Sequence, residues 1–180
     1  MKKTYQVLSG IYFFTAVYAV VRYHLFGGVP WRDFPLFTLN KIIIFSTVLI
    51  WILLQSKKLP QSIKSRLYKI IYISVAAHVL WSVLVTRPYY LSKFFNPDGG
   101  LTAYAGWSLL AGSVAFLIFM FGEKAGLNKK SIRKGMLFFT AFHLFFMGFS
   151  GWINPQNWYG MLPPITLIAW IPVVYLFFRE

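Results

Sequence analysis

Residues 36–54 read LFTLNKIIIFSTVLIWILL, an apolar run that carries one charge, Lys41, near its start. About 17–25 mostly apolar residues are what a helix needs to cross the hydrocarbon of a bilayer. Backbone N–H and C=O groups in lipid must be satisfied within the segment, so such a run is a helix. Five further stretches have the same character: Tyr5–Phe26, Leu67–Thr86, Tyr104–Gly122, Met136–Ile153 and Ile165–Phe178. The last is short and contains Pro172, so a span that is tilted, kinked or completed by Pro163 and Pro164 is expected. The expected fold class is all-α: a polytopic membrane protein, a six-transmembrane-helix bundle forming a single domain over residues 1–180.

Composition agrees. Of the 180 residues, 58% are hydrophobic and 12% charged, whereas a soluble domain carries about 25% charged residues. The formal net charge is +14, from 18 Lys and Arg against 4 Asp and Glu. That balance in a soluble chain would suggest nucleic acid. Here the basic residues are divided among short segments between apolar runs, which excludes a nucleic-acid partner and points to topology signals and anionic lipid headgroups. There is no cysteine, which removes disulfides, thiolate catalysis and Cys-ligated metals. The N-terminus, MKKTYQVLSGIYFFTAVYAVV, has a basic start and an apolar stretch but lacks a small-residue cleavage site, so a retained first span is expected.

The connections alternate in character. QSKKLPQSIKSRLYK (55–69), EKAGLNKKSIRK (123–134) and the initial MKK are strongly basic. GGVPWRDFP (27–35), RPYYLSKFFNPDGGLTA (87–103) and NPQNWYGMLPP (154–164) are aromatic and rich in Pro and Gly. The positive-inside rule then predicts cytoplasmic termini and basic loops, in what is expected to be a bacterial inner (plasma) membrane. The aromatic loops form an outer belt.

Two of the three histidines lie in mid-span. His78 occupies the centre of ISVAAHVLWSVLV (73–85), and His143 lies within AFHLFFMGFSGWI (141–153), near the middle of the fifth span. The third and fifth spans run in the same direction, so the imidazoles are expected at similar depth, where they could hold a metal between them. A haem iron accepts two axial imidazoles, and its planar macrocycle needs a slot between helices. Ser74 and Ser82 lie one turn from His78 and leave room for a porphyrin edge, while Met147 and Ser150 flank His143 with Thr140. Gly148 and Gly151 allow close helix approach. Each second ring nitrogen would seek an acceptor, by default a backbone carbonyl one turn back. The competing expectation is that each histidine bonds a neighbouring helix or lines a polar cavity. A zinc site lacks nearby carboxylates and thiols.

The layout, with AAHVLW and AFHLFF on spans three and five, resembles the ferric-reductase-like transmembrane domain superfamily, in its small single-haem membrane-subunit form. The resemblance implies one haem b with His78 and His143 as axial pair, since two-haem members carry a second histidine about four turns further along each of those helices. It also implies electron transport, to or from a partner protein or quinone, by the membrane subunit of an oxidoreductase.

At the outer side, Arg22, His24, Arg32, Lys41, Arg87 and Lys93 gather. Arg22 and Lys41 are candidates for haem propionates or an anionic ligand, against snorkelling at helix ends. His24 has three open roles: third ligand, proton carrier or interfacial residue. Without a cofactor the chain would be a small transporter or binding protein with a polar central cavity, or a scaffold subunit.

Overall fold

A computed structural model describes residues 2–55 and 59–179. Ser56, Lys57 and Lys58 of the first basic stretch, Met1 and Glu180 lie outside the described residues. Six helices are long and apolar enough to cross a membrane. We name them α1 (Lys2–Val20), α2 (Leu39–Leu54), α3 (Gln61–Val85), α4 (Ala103–Phe121), α5 (Lys129–Trp152) and α6 (Ile165–Arg179).

Helices α3 and α5 begin earlier than the apolar pattern predicts. The basic residues Lys64, Arg66 and Lys69 are helical, as are Lys129, Lys130, Arg133 and Lys134. Lys and Arg are good helix formers, and long side chains at a helix end can reach water while the backbone stays helical. Each start has a local cause. Pro60 precedes α3 and accepts the Ile63 and Lys64 N–H groups through its carbonyl. Thr102 caps α4 by accepting from Ala105 N at 3.2 Å, and Asn128 caps α5 by accepting from Ser131 N at 2.8 Å. Such caps satisfy donors that the first turn leaves open. Pro164 immediately precedes α6, and Pro172 lies within it.

The first two spans are irregular at their facing ends. Val21–Phe26 and Phe34–Thr38 are π-helical turns. Pro35 has no N–H to give the ordinary ladder, and its carbonyl accepts from Trp81 Nε1 of α3 at 2.9 Å. The apolar pattern carries no trace of this widening.

Large side chains face outward in a way a soluble protein avoids. Phe13 is 72% exposed, Ile73 68%, Ile171 57% and Phe178 80%. The core is instead centred on α2, whose span window is 50% buried while the others range from 11% to 22%. Ile42, Phe45, Val48, Ile50 and Trp51 of α2 join Ala169, Val173 and Leu176 of α6 in the buried cluster. The sequential pairs α1/α2, α2/α3, α4/α5 and α5/α6 pack closely, and α2 also meets α6. Helix α3 meets the α4/α5 pair sparsely, with the Tyr72 and Phe119 rings 5.8 Å apart between α3 and α4.

Between helices in lipid the hydrophobic drive is lost, and small residues and polar contacts supply specificity. Each close sequential pair has such a contact. Thr15 and Ser46 share a 2.6 Å hydrogen bond between α1 and α2, with both residues fully buried. Asn40 meets His78 across α2/α3, and Ser108 meets His143 across α4/α5. Trp152 Nε1 donates to Thr166 Oγ1 at 2.9 Å across α5/α6. Among the described residues no hydrogen bond joins α3 to α4.

The α5/α6 contact passes over Gly148, where an added Cβ would collide with Trp152 Nε1 and Thr166 Oγ1. Gly148 thus has the close-approach role its position suggests, whereas a Cβ added at Gly151 would meet nothing within 4 Å. Gly148→Ala is expected to lower stability in detergent by about 1–3 kcal/mol, the usual cost of overpacking. A melting temperature equal to that of the unsubstituted protein would show that this contact is slack.

Candidate functional site: a two-histidine cavity

The gap between α3 and the α4/α5 pair is a cavity of about 480 Å³, within the roughly 300–1,000 Å³ range of small-molecule and cofactor pockets. Helices α2, α3, α4 and α5 all contribute to its wall. On α3 the wall runs from Ile71 to Thr86, roughly 22 Å at the helical rise. His78 and His143 both line it, with Ser82, Thr47, Ser113 and Thr140 as the other polar members besides Thr86. The remaining wall is apolar, including Trp51, Phe116, Phe119 and Met136. Val83 is both a wall residue and 71% exposed, so the slot opens at the lipid-facing side of α3.

Both rings are oriented from neighbouring helices, which corrects the expectation of a carbonyl one turn back. His143 Nδ1 lies 2.8 Å from the Ser108 carbonyl oxygen of α4. A carbonyl can only accept, so Nδ1 carries the proton and Nε2 keeps its lone pair. Ser108 Oγ stands 3.3 Å from the same Nδ1, and Ser108 is fully buried. His78 Nδ1 lies 2.7 Å from Asn40 Oδ1 of α2. Here too Nδ1 donates and Nε2 is left basic, with only Ser82 Oγ at 3.5 Å near it. Tying one ring nitrogen to an oxygen while freeing the other is how proteins prepare a histidine for a metal.

Gly112 makes the His143 arrangement possible. A Cβ there would lie 2.8 Å from His143 Nδ1 and 3.2 Å from Cε1. Ser108 and Gly112, four apart on one helix face, form a small-xxx-small pair. That spacing in WSLLAGSV was the available signal for both residues, and Asn40 stood out only as the neighbour of Lys41.

Several candidates from the sequence lie elsewhere. Ser74, Met147 and Ser150 are not in the cavity wall. The Met147 carbonyl accepts from Lys93 Nζ, and the Ser150 carbonyl accepts from Asn154 Nδ2 at 3.0 Å. Arg22 is buried in the π-helical turn after α1, where it donates to the Leu162 carbonyl. Its guanidinium lies over the rings of Tyr23 and Tyr159, 5.7 and 5.2 Å from their centroids. It therefore clamps the connection before α6 to the end of the first span rather than reaching the histidines. Lys41 is also outside the wall and places Nζ 5.3 Å from the Phe37 ring centroid. Of the residues chosen from sequence, His78, His143, Ser82 and Thr140 meet at the cavity.

His24 is fully engaged. Nδ1 meets the Val29 carbonyl and Nε2 meets Thr38 Oγ1, both at 2.8 Å, and the ring stacks on Trp31 at 4.3 Å. With both nitrogens bonded, neither offers a free lone pair to a metal. Nearby, Asp33 accepts from Tyr89 and Tyr90 at 2.8 and 3.2 Å and joins two of the aromatic loops. The Tyr90 phenol is held above its ordinary pKa by loss of water and then by that bond to Asp33.

Chemically, the cavity offers two neutral imidazole nitrogens and little else to a cation. No group of three His, Cys, Asp or Glu side chains able to hold a metal occurs among the described residues. A bare zinc or iron ion needs three or four protein ligands. A porphyrin brings four equatorial nitrogens of its own, so two axial imidazoles suffice, and the apolar wall suits its macrocycle. The donor set thus fits haem better than a free ion. No protein-family model, curated protein or solved structure matches the chain, and its function is therefore argued from this cavity.

Proposed function

We propose that the protein is a haem b-binding membrane electron-transfer protein, the membrane subunit of an oxidoreductase of ferric-reductase-like type. One observation carries the proposal: two imidazoles from different helices, each with Nδ1 committed to an oxygen, line one largely apolar cavity. His78 and His143 would hold the haem iron, each through Nε2. When bound, haem would supply one-electron exchange between ferric and ferrous iron. Asn40 and the Ser108 carbonyl hold the two rings in their donor tautomers. Gly112 gives the His143 ring its place, and the apolar wall keeps water from the cavity. The partner in that exchange would be a redox protein or a quinone.

The basic first turns of α3 and α5 support a cytoplasmic location for those ends and for both termini. A cofactor-free binding or transport role is the second reading, favoured by the opening beside Val83, through which a lipid-soluble ligand could enter sideways. Optical spectra of the detergent-purified protein, oxidised and dithionite-reduced, separate the two. Haem with two axial histidines gives a sharpened Soret band and resolved α and β bands on reduction. A colourless protein that also takes up no added haemin would remove the electron-transfer reading and leave ligand binding.

A further inference from the structure

We propose that Asn40 is the positioning residue of the cavity, fixing His78 in the Nδ1–H tautomer and making its basicity adjustable from α2. The two histidines are oriented by different kinds of acceptor. For His143 the acceptor is the Ser108 backbone carbonyl, which no side-chain substitution can replace. For His78 it is a side-chain amide. Asn40 is 3% exposed and sits in the first turn of α2, after the π-helical stretch that ends at Thr38.

The alternatives around His78 are poor. Ser82 Oγ stands 3.4 and 3.5 Å from Nδ1 and Nε2, too long to choose between them. Ser82 instead receives Asn40 Nδ2 at 3.4 Å. That contact is equally long, and the amide's direction rests on the 2.7 Å approach of Oδ1 to His78 Nδ1. An amide turned the other way would donate to Nδ1, force the proton onto Nε2 and remove the lone pair that a metal requires. The direction of a single buried amide therefore decides whether His78 can act as a ligand.

The tautomer claim stands without haem; only its redox consequence rests on the haem-binding reading. The test is nitrogen NMR of 15N-histidine-labelled protein in lipid nanodiscs without haem, with His78 assigned by its loss in His78→Gln. Nδ1 of His78 is expected to be protonated and Nε2 to show a pyridine-type shift. Asn40→Leu is expected to move the proton to Nε2, the tautomer a histidine otherwise favours, and Asn40→Asp to keep it on Nδ1. The His143 resonances, held by Ser108, report in the same sample whether the bundle is intact. A wild-type His78 protonated on Nε2 overturns the proposal regardless of how the variants fold. So does an Asn40→Leu protein with intact His143 signals and an unmoved His78 proton.

With haemin bound, Asn40→Asp is expected to shift the midpoint potential downward. A carboxylate draws the Nδ1 proton further, and the more electron-rich Nε2 favours ferric iron. An unchanged potential, with haem bound in both proteins, sinks the role assigned to Asn40 while leaving haem binding intact. Failure to take up haem sinks the haem reading while leaving the tautomer result to be judged alone.

Discussion

His78→Ala and His143→Ala are each expected to abolish six-coordinate haem binding. Loss of an outer partner alone typically lowers metal affinity about 10–100-fold, and removing the ligand itself should exceed that. The single substitutions differ in what they leave behind. His78→Ala leaves Asn40 Oδ1 without its 2.7 Å donor, although Asn40 retains Ser82. His143→Ala leaves the Ser108 carbonyl without its imidazole partner. A stranded buried acceptor costs about 1–3 kcal/mol. That cost falls on Asn40 Oδ1, whereas the Ser108 carbonyl keeps its bond within α4. Both variants also leave a cavity where the ring stood, so both should melt at lower temperature. Haem content per protein and the reduced-minus-oxidised spectrum provide the measurement. Full retention of a low-spin spectrum in either variant would mean that the iron has a ligand other than the one named. His24→Ala is the matched comparison: both of its nitrogens serve Val29 and Thr38, so haem content should hold while stability falls.

The fold was legible because a bilayer imposes a length and a polarity that few other solvents demand. Six apolar stretches give six helices. What the pattern missed lies where apolarity stops being the controlling variable. The starts of α3 and α5 are basic yet helical, since proline, an Asn cap and good helix formers govern them. The π-helical turns around Arg22 and before Asn40 depend on tertiary partners such as the Leu162 carbonyl and Trp81. The site shows the same division. An imidazole in mid-span is conspicuous in a sequence, so the two lining histidines could be picked out. Their acceptors are a carbonyl, which every residue has, and one amide among ordinary helix residues. The positions one turn from each histidine were weaker guides. Ser82 and Thr140 share the cavity, but Ser74, Met147 and Ser150 do not, because only one face of each histidine's helix meets the facing helices across the gap. Arg22 shows why charge alone misleads. Its partners are a carbonyl and two aromatic rings, a combination with no spacing signature.

Gly112→Ala should harm the protein although alanine is the better helix former. In an exposed helix interior the exchange gains about 1 kcal/mol. At Gly112 the new methyl would stand 2.8 Å from His143 Nδ1 and 3.4 Å from Cγ, so the ring must move. Moving it lengthens the 2.8 Å bond to the Ser108 carbonyl, and the His143 Nδ1–H is then left poorly paired inside the bundle. Overpacking costs about 1–3 kcal/mol and a stranded buried polar group a similar amount, which together outweigh the gain in propensity. Gly106 tests the reasoning within the same helix. It has nothing within 4 Å of its Cβ position, so Gly106→Ala receives the propensity term alone and should be neutral or stabilising. Thermal unfolding in detergent should then separate the two variants by about 2 kcal/mol or more. Haem retention should fall in Gly112→Ala only, because the displaced ring carries Nε2 away with it. Equal melting temperatures and equal haem content would show that α4 can move aside, and that His143 is oriented by something other than its fit against Gly112.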